Sequence, residues 1–469
     1  MVTGIQFDEQ SAIPIYRQLA DGIAERIRTG ALVDGERLPP TRELAGRLGL
    51  NRTTVSAAYE VLESEGLIKG HVGRGSYVHY KTTAPTEPSG TISFASSRPA
   101  EDEFPVAAFQ ATCREAISGP SAHAILQLGS PSGFAPLRQY LLDEARAEGV
   151  VGPGDDILIT SGCQQALDLV QRVLAPAGTT VAIEDPVYHG QRNVFVRSDV
   201  RLAPIAVGDA GVDVDRIGRV FAQERPKLAV LTPNFQNPTG TTMPLAARES
   251  VAGLAAEFQV SIVENDIYGG LRYTGEPLPT VKRLGGTMLI RSFSKIAFPG
   301  LRVGWIIAPK PMIASLTAAR QWCDLHTDQL SQAVLLRFAE SGRLAEHVAR
   351  TREMGRERLT AALAACEKYL PEGSSFTKPE GGMSVWVRLP EPLDASELLP
   401  RAQREGVTYL PGKHFAVGPH EAGTLRLSFG GLSPSLIEAG IARLGRLFEQ
   451  EWQQSRNGAS QFEPISALV

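Results

Sequence analysis

The stretch RSFSKIAFPGLR, residues 291–302, carries the chemistry from which the fold of this 469-residue chain can be inferred. A lysine in a turn rich in small hydroxyl residues, such as Lys295, can form a Schiff base with an aldehyde cofactor. The hydroxyls of Ser292 and Ser294 and the guanidinium of Arg302 can hold a phosphate. A lone lysine of this kind is more often an ordinary loop residue. The surrounding sequence therefore has to show whether Lys295 is a Schiff-base lysine.

Around this stretch, apolar strand-like runs alternate with amphipathic helical patterns. The predicted strands cover residues 157–160, 180–184, 228–232, 261–264 and 288–291, and predicted helices include 164–174 and 246–258. Such alternation predicts an α/β domain with a largely parallel sheet. Residues 94–454 are enough for one large domain of this kind and a smaller C-terminal α/β subdomain.

An acidic residue follows an apolar strand in VENDIY, residues 263–268. A buried Asp266 would be costly unless it were paired. A protonated pyridine nitrogen is such a partner, and the pairing makes the pyridine ring an electron sink. The alternatives are that Asp266 is a helix cap or loop carboxylate, and that Tyr268 packs rather than donating to a cofactor phenolate.

Two further turns present polar groups. In PNFQNPTG, residues 233–240, the proline after Asn237 keeps that residue out of the helical region and can fix its amide toward a ring oxygen. TSGCQQA, residues 160–166, is a strand-to-helix turn whose backbone amides suit a phosphate. Tyr188 could stack on a ring, although a core tyrosine is the usual alternative.

Taken together and in this order, these motifs closely resemble the fold-type-I, class I/II aminotransferases across roughly residues 94–450. The resemblance implies pyridoxal 5′-phosphate as the cofactor and Lys295, Asp266 and Tyr268 as the catalytic residues. It implies that the cofactor is bound by Gly162, Cys163, Gln164, Tyr188, Asn237, Asp266, Tyr268, Ser292, Ser294, Lys295 and Arg302. Arg426, in LRLSF, matches the arginine that binds a substrate carboxylate, and the alternative is an arginine on a surface strand. Cys163 departs from the family pattern, in which a small or hydroxyl residue is commoner.

The first 80 residues have a different organisation. Helical patterns over residues 14–28, 41–48 and 52–65 precede two short predicted strands at 67–69 and 76–80. This is the plan of a winged helix-turn-helix, whose second helix enters the major groove with its first residues nearest the bases. In this chain those residues are Arg52, Thr53, Thr54 and Ser56. A solvated helical face fits the arginine spacing equally well.

Because the chain is not basic overall, any DNA-binding surface must be a local basic patch. The formal net charge is −4, and residues 1–80 hold nine Lys/Arg and ten Asp/Glu, a net of −1. Four arginines nevertheless recur between residues 37 and 52, opposed only by Glu43. Through the segment LPPTRELAGRLGLNRTTVSAAYEVLESEGLIKGHVGRGSYV, residues 38–78, the chain resembles the GntR-type winged helix-turn-helix over essentially all of residues 13–78. The resemblance implies DNA contacts at Arg42, Arg52, Thr53, Thr54 and Arg74.

The fusion resembles the MocR subgroup of GntR regulators. We expect a DNA-binding domain at residues 1–79, a linker at 80–93, the pyridoxal-phosphate domain at 94–454 and a loose tail at 455–469. The resemblance implies a domain-swapped homodimer that binds operator DNA and senses a small amine or amino acid through aldimine exchange at Lys295. Members that sense γ-aminobutyrate carry an arginine where this chain has Gly190, which argues against that effector.

Two other functions remain open. The chain could be a working, 2-oxoglutarate-linked α-amino-acid aminotransferase of the aminoadipate type with a DNA-binding head, or pyridoxal phosphate itself could be the signal. Four well-separated cysteines show no paired spacing, which argues against disulfides and a zinc site. We expect no metal, no membrane segment and a cytoplasmic location.

Overall fold

The computed structural model describes residues 7, 14–28, 32, 36–65, 67–71, 75–78, 90–119, 122–209 and 211–459. The chain divides into two compact units, Met1–Ser89 and Gly90–Val469. This division falls inside the segment 80–93 that was predicted as a linker. Residues 80–89 of that segment lie outside the described residues.

The N-terminal unit contains three helices and a hairpin. The helices are α1 (Ile15–Arg28), α2 (Thr41–Leu48) and α3 (Arg52–Ser64), and the hairpin pairs β1 (Ile68–His71) antiparallel with β2 (Gly75–Val78). Fully buried Leu19, Ile23, Leu44, Val55 and Leu62 form its core.

The turn between α2 and α3 follows from two residues. Gly49 takes a positive φ of 68° after α2, a conformation that favours glycine. The side chain of Asn51 accepts a hydrogen bond from the backbone N–H of Thr53 and so caps α3. The helix-turn-helix and wing predicted from the sequence are present.

The second unit has two subdomains, and its elements are numbered on from the first unit. Its strands are β3 (Ile92–Ser93), β4 (Asp155–Thr160), β5 (Thr180–Asp185), β6 (Arg201–Gly208), β7 (Gly211–Val212), β8 (Leu228–Leu231), β9 (Ser261–Asn265), β10 (Met288–Ser292), β11 (Gly304–Pro309), β12 (Ser375–Phe376), β13 (Ser384–Arg388), β14 (Val407–Thr408), β15 (Leu410–Pro411) and β16 (Thr424–Ser428). Its helices are α4 (Val106–Ser118), α5 (Ala122–Ile125), α6 (Ala135–Ala147), α7 (Cys163–Leu174), α8 (His189–Val196), α9 (Val214–Glu224), α10 (Leu245–Phe258), α11 (Lys310–Gln321), α12 (Gln329–Glu340), α13 (Arg343–Tyr369), α14 (Ala395–Arg404) and α15 (Pro434–Ala459).

The large sheet has the strand order β4-β11-β10-β9-β8-β5-β6-β7. Strands β10, β9, β8, β5 and β6 run parallel, whereas β11 is antiparallel to both of its neighbours and β7 is antiparallel to β6. Most residues of the central strands are buried, as a sheet covered by helices on both faces requires. The predicted α/β class and mostly parallel sheet are confirmed.

The smaller subdomain is built on the antiparallel sheet β12-β13-β16-β15, against which α13 and α15 pack. Strand β3 pairs with β14, so residues 92–93 of the predicted linker belong to this subdomain.

The predicted start of the tail is wrong. Residues 455–459 form the last turns of α15 because i,i+4 contacts continue the helix. The Arg456 guanidinium lies 4.9 Å from the centre of the Trp452 ring, and Ser455 Oγ donates to the Glu451 carbonyl. Residues 460–469 lie outside the described residues. No helix among those that are described is long and apolar enough to cross a bilayer.

Candidate cofactor and ligand site

The polar residues predicted to form the site gather at one edge of the large sheet. Asp266 directly follows β9, Ser292 ends β10, and Tyr188 lies shortly after β5. These three strands are parallel and so bring their carboxyl ends to the same edge. That edge is where ligands bind in open α/β sheets.

Lys295 lies in the turn after β10. Its Nζ donates to the backbone oxygen of Ser97 over 2.5 Å and lies 5.6 Å from the centre of the Tyr268 ring. Burial lowers the pKa of Lys295 to about 8, and the positive charges of Arg426 and Arg98 act in the same direction. An appreciable minority of the Lys295 amine is therefore neutral, and able to act as a nucleophile, near physiological pH.

Asp266 is buried and holds two donors. Asn234 Nδ2 donates to Asp266 Oδ1 over 2.8 Å, and Arg291 Nε donates to Asp266 Oδ2 over 2.9 Å. Each carboxylate oxygen can accept a second hydrogen bond, so the carboxylate can still receive a ring N–H. Sequence reasoning did not assign a role to either Asn234 or Arg291.

A hydrogen-bonded chain joins Arg426, Asn237 and Tyr268. Arg426 Nη1 donates to Asn237 Oδ1 over 3.0 Å, and Asn237 Nδ2 donates to Tyr268 Oη over 3.2 Å. Burial raises the pKa of Tyr268 to about 12, so its hydroxyl stays protonated and can donate at neutral pH. The structure thus brings together the predicted carboxylate-binding arginine and both predicted ring-oxygen donors.

Arg426 lies on β16 and is only 3% exposed. Its guanidinium lies 5.0 Å from the centre of the Phe415 ring, and its Nη2 donates to the carbonyl of Ala95. Burial lowers the pKa of Arg426 to about 10, which still leaves the guanidinium charged at neutral pH. Its buried Nε has no hydrogen-bond partner. A carboxylate could satisfy this donor and the positive charge together.

The predicted phosphate-binding residues form a cradle at the start of α7. Gly162 has a φ of +83°, which favours glycine, and a Cβ there would lie 2.6 Å from Arg302 Nη2, so a larger residue would displace this guanidinium. Arg302 Nη1 is 3.4 Å from Ser294 Oγ, which accepts from Ser292 Oγ over 2.9 Å. Burial raises the pKa of the Cys163 thiol, so this residue offers a phosphate its backbone N–H rather than a second charge.

Tyr188 and Gln164 border the cradle. Gln164 Nε2 donates to the carbonyl of Gly190 over 2.9 Å, and the rings of Tyr188 and His189 have centres 4.5 Å apart. A Cβ at position 190 would lie 2.4 Å from Tyr188 Cε1. Position 190 therefore excludes any side chain while Tyr188 keeps its place.

The predicted DNA-contacting residues lie in the N-terminal unit. Arg52 and Thr53 are exposed at the start of α3, and Arg42 is exposed on α2. Thr54 and Ser56 are half-buried. The predicted wing contact Arg74 lies outside the described residues.

This donor set fits pyridoxal phosphate part by part. It offers an amine for the aldehyde, a carboxylate for the ring nitrogen, an amide and a hydroxyl for the ring oxygen, and hydroxyls, a guanidinium and helix N–H groups for the phosphate. Among the described residues no group of three or more His, Cys, Asp or Glu could hold a metal ion. The fold and site define a pyridoxal-phosphate-binding protein of the aminotransferase type that carries a winged helix-turn-helix.

Comparison with known proteins supports this classification. Residues 99–444 match the aminotransferase class I and II family, and residues 15–78 match the bacterial regulatory proteins of the gntR family. The chain therefore belongs to the class I and II aminotransferases, with pyridoxal phosphate as cofactor, and its gntR-family domain is a DNA-binding domain. This domain arrangement is that of the MocR subgroup of regulators.

Two relatives and one solved structure are similar to this chain over its whole length or over its aminotransferase domain. An uncharacterised HTH-type transcriptional regulator of Bacillus subtilis is 28% identical and aligns over 93% of this chain and 97% of its own length. Aromatic-amino-acid aminotransferase 1 of Thermococcus litoralis is 36% identical over 78% of this chain and 90% of its own. The crystal structure of α-aminoadipate aminotransferase from Thermus thermophilus, complexed with N-(5′-phosphopyridoxyl)-L-leucine, has a TM-score of 0.73 and is 34% identical, covering 78% of this chain and 94% of that one.

Proposed function

We propose that this chain is a pyridoxal-phosphate-dependent transcription regulator that binds an amine or amino acid at Lys295 and changes its DNA binding in response. One observation carries the proposal. Lys295 donates to the backbone of Ser97, and Arg426 donates to the backbone of Ala95. Both ligand-binding side chains therefore hold the segment 95–97, which follows the predicted linker within a few residues along the chain.

The proposed coupling is an exchange of hydrogen bonds. Bound pyridoxal phosphate supplies an aldehyde carbon that exchanges one amine for another and a ring that withdraws electrons. Lys295 Nζ would give up its bond to Ser97 if it joined the cofactor aldehyde, and an amine that took its place would free Nζ for that bond again. A ligand carboxylate competes with Ala95 for Arg426. Occupation of the site thus alters both attachments of segment 95–97, and it favours one DNA-binding state if that segment differs between the states.

The chemistry of the site narrows the effector. Arg426 is buried, charged and has an unpartnered Nε, which favours an amine that carries a carboxylate. Position 190 is glycine in this chain, whereas the γ-aminobutyrate sensors that the chain resembles are expected to carry an arginine there. We therefore infer an α-amino acid rather than γ-aminobutyrate.

An active aminotransferase is the second candidate function. It is favoured by the lowered pKa of Lys295, about 8, because a lysine neutral near that pH can accept a proton from a bound amino acid. The same residues serve both functions, so their presence does not separate them.

An absorbance titration separates the two functions. The cofactor band of the purified holoprotein is followed against a panel of amino acids, ω-amino acids and taurine, with and without 2-oxoglutarate, and K295A is the control that loses the native band. A stable shift without product supports the regulator. Cycling of the band with a new amino acid accumulating, on the order of one turnover per second or faster, identifies an enzyme and contradicts the regulator proposal.

We also propose a homodimer, with the domain-swapped arrangement expected from the resemblance. Large apolar side chains stand exposed on the second unit, among them Leu126 at 86%, Leu128 at 74% and Trp322 at 92%. Burial against a second copy would remove this apolar surface from water. Sedimentation equilibrium tests it: W322S should weaken the dimer, whereas L436S, at a less exposed surface leucine, should not. A monomeric wild-type protein contradicts the proposal.

A DNA-binding regulator of this type acts in the cytoplasm, where bacterial DNA lies.

A further inference from the structure

Asp266 is tied to the protein surface through an arginine. Arg291 Nε donates to Asp266 Oδ2 over 2.9 Å, and Arg291 Nη1 donates to Glu148 Oε2 over 2.7 Å. The side chain of Glu148 is 48% exposed, whereas that of Asp266 is 2% exposed. The three side chains form a row of alternating charge that ends at the carboxylate assigned to the ring nitrogen.

The other oxygen of Asp266 is also backed by an arginine. Asn234 Nδ2 donates to Asp266 Oδ1, and Asn234 Oδ1 accepts from Arg248 Nη2 over 2.6 Å. Arg248 is completely buried, and its remaining donors bind backbone carbonyls, including that of Met243. Asn234 is therefore held in one orientation, with its amide donor toward Asp266.

These contacts change how strongly Asp266 can attract a proton on the cofactor. A carboxylate stabilises a protonated pyridine nitrogen through its negative charge, and a guanidinium in direct contact with that carboxylate opposes the effect. The opposition is strong because Asp266 is buried, where charges are poorly screened. Arg291 is thus expected to make the ring nitrogen release its proton more readily than an unpaired aspartate would.

We propose that Arg291 is a positioning residue that holds Asp266 and lowers the proton affinity of the cofactor ring nitrogen, so that a bound amino acid is retained rather than converted. An unprotonated ring withdraws electrons less, and the proton on the Cα of the bound amino acid is then harder to remove. This inference deepens the proposed regulator function and rests on it. It explains how a site with every group for transamination can act as a sensor.

Two further charged groups, Arg248 and Glu264, also act on Asp266. Arg248 reaches it through Asn234. Glu264, on β9, is fully buried, and burial together with the negative charge of Asp266 raises its pKa to about 7. Glu264 accepts from the backbone N–H of Lys282 over 2.9 Å. Neither group is changed in variants at Arg291 or Glu148, so differences between those variants report on the Glu148–Arg291–Asp266 row.

The test uses holoprotein loaded with pyridoxal phosphate that carries ¹⁵N at the ring nitrogen. The ¹⁵N chemical shift is titrated with pH in the wild type, R291Q, R291K and E148Q. Removal of the positive charge in R291Q should raise the ring-nitrogen midpoint by roughly one pH unit, given the short distance and low dielectric. R291K, which keeps the charge, should stay near the wild type. E148Q removes the charge that partly neutralises Arg291 and should lower the midpoint.

Opposite shifts in R291Q and E148Q are the result that a merely structural role cannot produce. An unchanged or lowered midpoint in R291Q overturns the inference. If R291Q does not retain the cofactor, E148Q decides: a lowered midpoint supports the inference, and an unchanged or raised one overturns it. The amine dependence of DNA binding is measured separately on the same variants. If that dependence persists while the midpoint does not move, this inference fails and the regulator proposal stands.

Discussion

Lys295 donates a hydrogen bond from Nζ to the backbone oxygen of Ser97, 2.5 Å away and 198 residues earlier in the chain. Ser97 Oγ also accepts from Ser428 Oγ over 2.9 Å, two residues after Arg426 on β16. The segment that follows the predicted linker is therefore held both by Lys295 in the large subdomain and by β16, the strand of Arg426, in the small one.

The first prediction concerns this segment. An alkylamine has no carboxylate to compete with Ala95 for Arg426, so it would free Lys295 Nζ for Ser97 and leave the Arg426 bond in place. Residues 94–99 should then exchange their amide hydrogens roughly severalfold more slowly. Hydrogen-exchange mass spectrometry of the holoprotein with and without the amine measures this. Helix α9, which carries none of the site residues, serves as the internal control. The same slowing in K295A would show that Lys295 is not involved.

Arg426 should select for a carboxylate on the effector. R426Q removes a charge-assisted hydrogen bond in a buried site, which typically contributes about 1.5–3 kcal/mol. We expect the affinity for an α-amino acid to fall roughly 10- to 100-fold, while the affinity for a simple alkylamine changes little. Absorbance titration of the cofactor band gives both affinities. Equal losses of affinity for the two ligands would show that Arg426 does not bind the ligand carboxylate.

Cofactor loading should depend on pH through Lys295. Its lowered pKa of about 8 means that the reactive neutral amine is the minor form below that pH and predominates above it. The rate constant for loading of the apoprotein should therefore rise about tenfold per pH unit below pH 8 and level off above it. Stopped-flow absorbance between pH 6 and pH 10 measures the profile. A rise that continues to pH 10 would indicate an ordinary lysine.

R98Q is the variant that refines this pH test. Arg98 is exposed, and its positive charge is one of those that lower the pKa of Lys295. Removing that charge should move the midpoint of the loading profile upward without preventing loading. A downward movement would contradict the electrostatic explanation.

In the DNA-binding unit, Arg52 should contact bases and Arg42 should contact phosphates. R52A, at the first residue of α3, should weaken binding to the preferred duplex by roughly 1–3 kcal/mol and relax the sequence preference. R42A should weaken binding to all duplexes alike and reduce the slope of log K against log salt concentration by about one. R17A is the matched control, because Arg17 pairs with Asp21 and Glu65 in the same unit. Fluorescence anisotropy at several salt concentrations distinguishes the variants. Equal effects of R52A and R17A would contradict the assignment.

The large sheet could be predicted because its strands are short apolar runs between helical patterns, a signal that is local in sequence. Lys295 and the polar residues near the start of α7 could be located at strand ends from the sequence because each lies in a short contiguous motif. Their roles toward the cofactor stay predictions. The acceptor of Lys295 could not be predicted, because it is a backbone oxygen and leaves no mark in the side-chain sequence. The role of Arg291 was missed for a related reason: its partner Glu148 lies 143 residues away and is brought to it only by the fold.

The end of the chain shows the opposite error. Polar composition predicted a loose tail from residue 455, yet the helix continues to Ala459 because contacts such as that between Trp452 and Arg456 stabilise its last turns. A change in composition marked the region correctly but not the residue at which the helix ends.

The most direct test of the account is the affinity of the holoprotein for a duplex selected from a random library, measured with and without the amine that shifts the cofactor band. We predict that the amine changes the dissociation constant at least fivefold, about 1 kcal/mol of coupling, in the wild type and not in K295A. An unchanged dissociation constant in the wild type, with the amine converted to a keto acid, would contradict the account and identify an aminotransferase that happens to carry a DNA-binding domain.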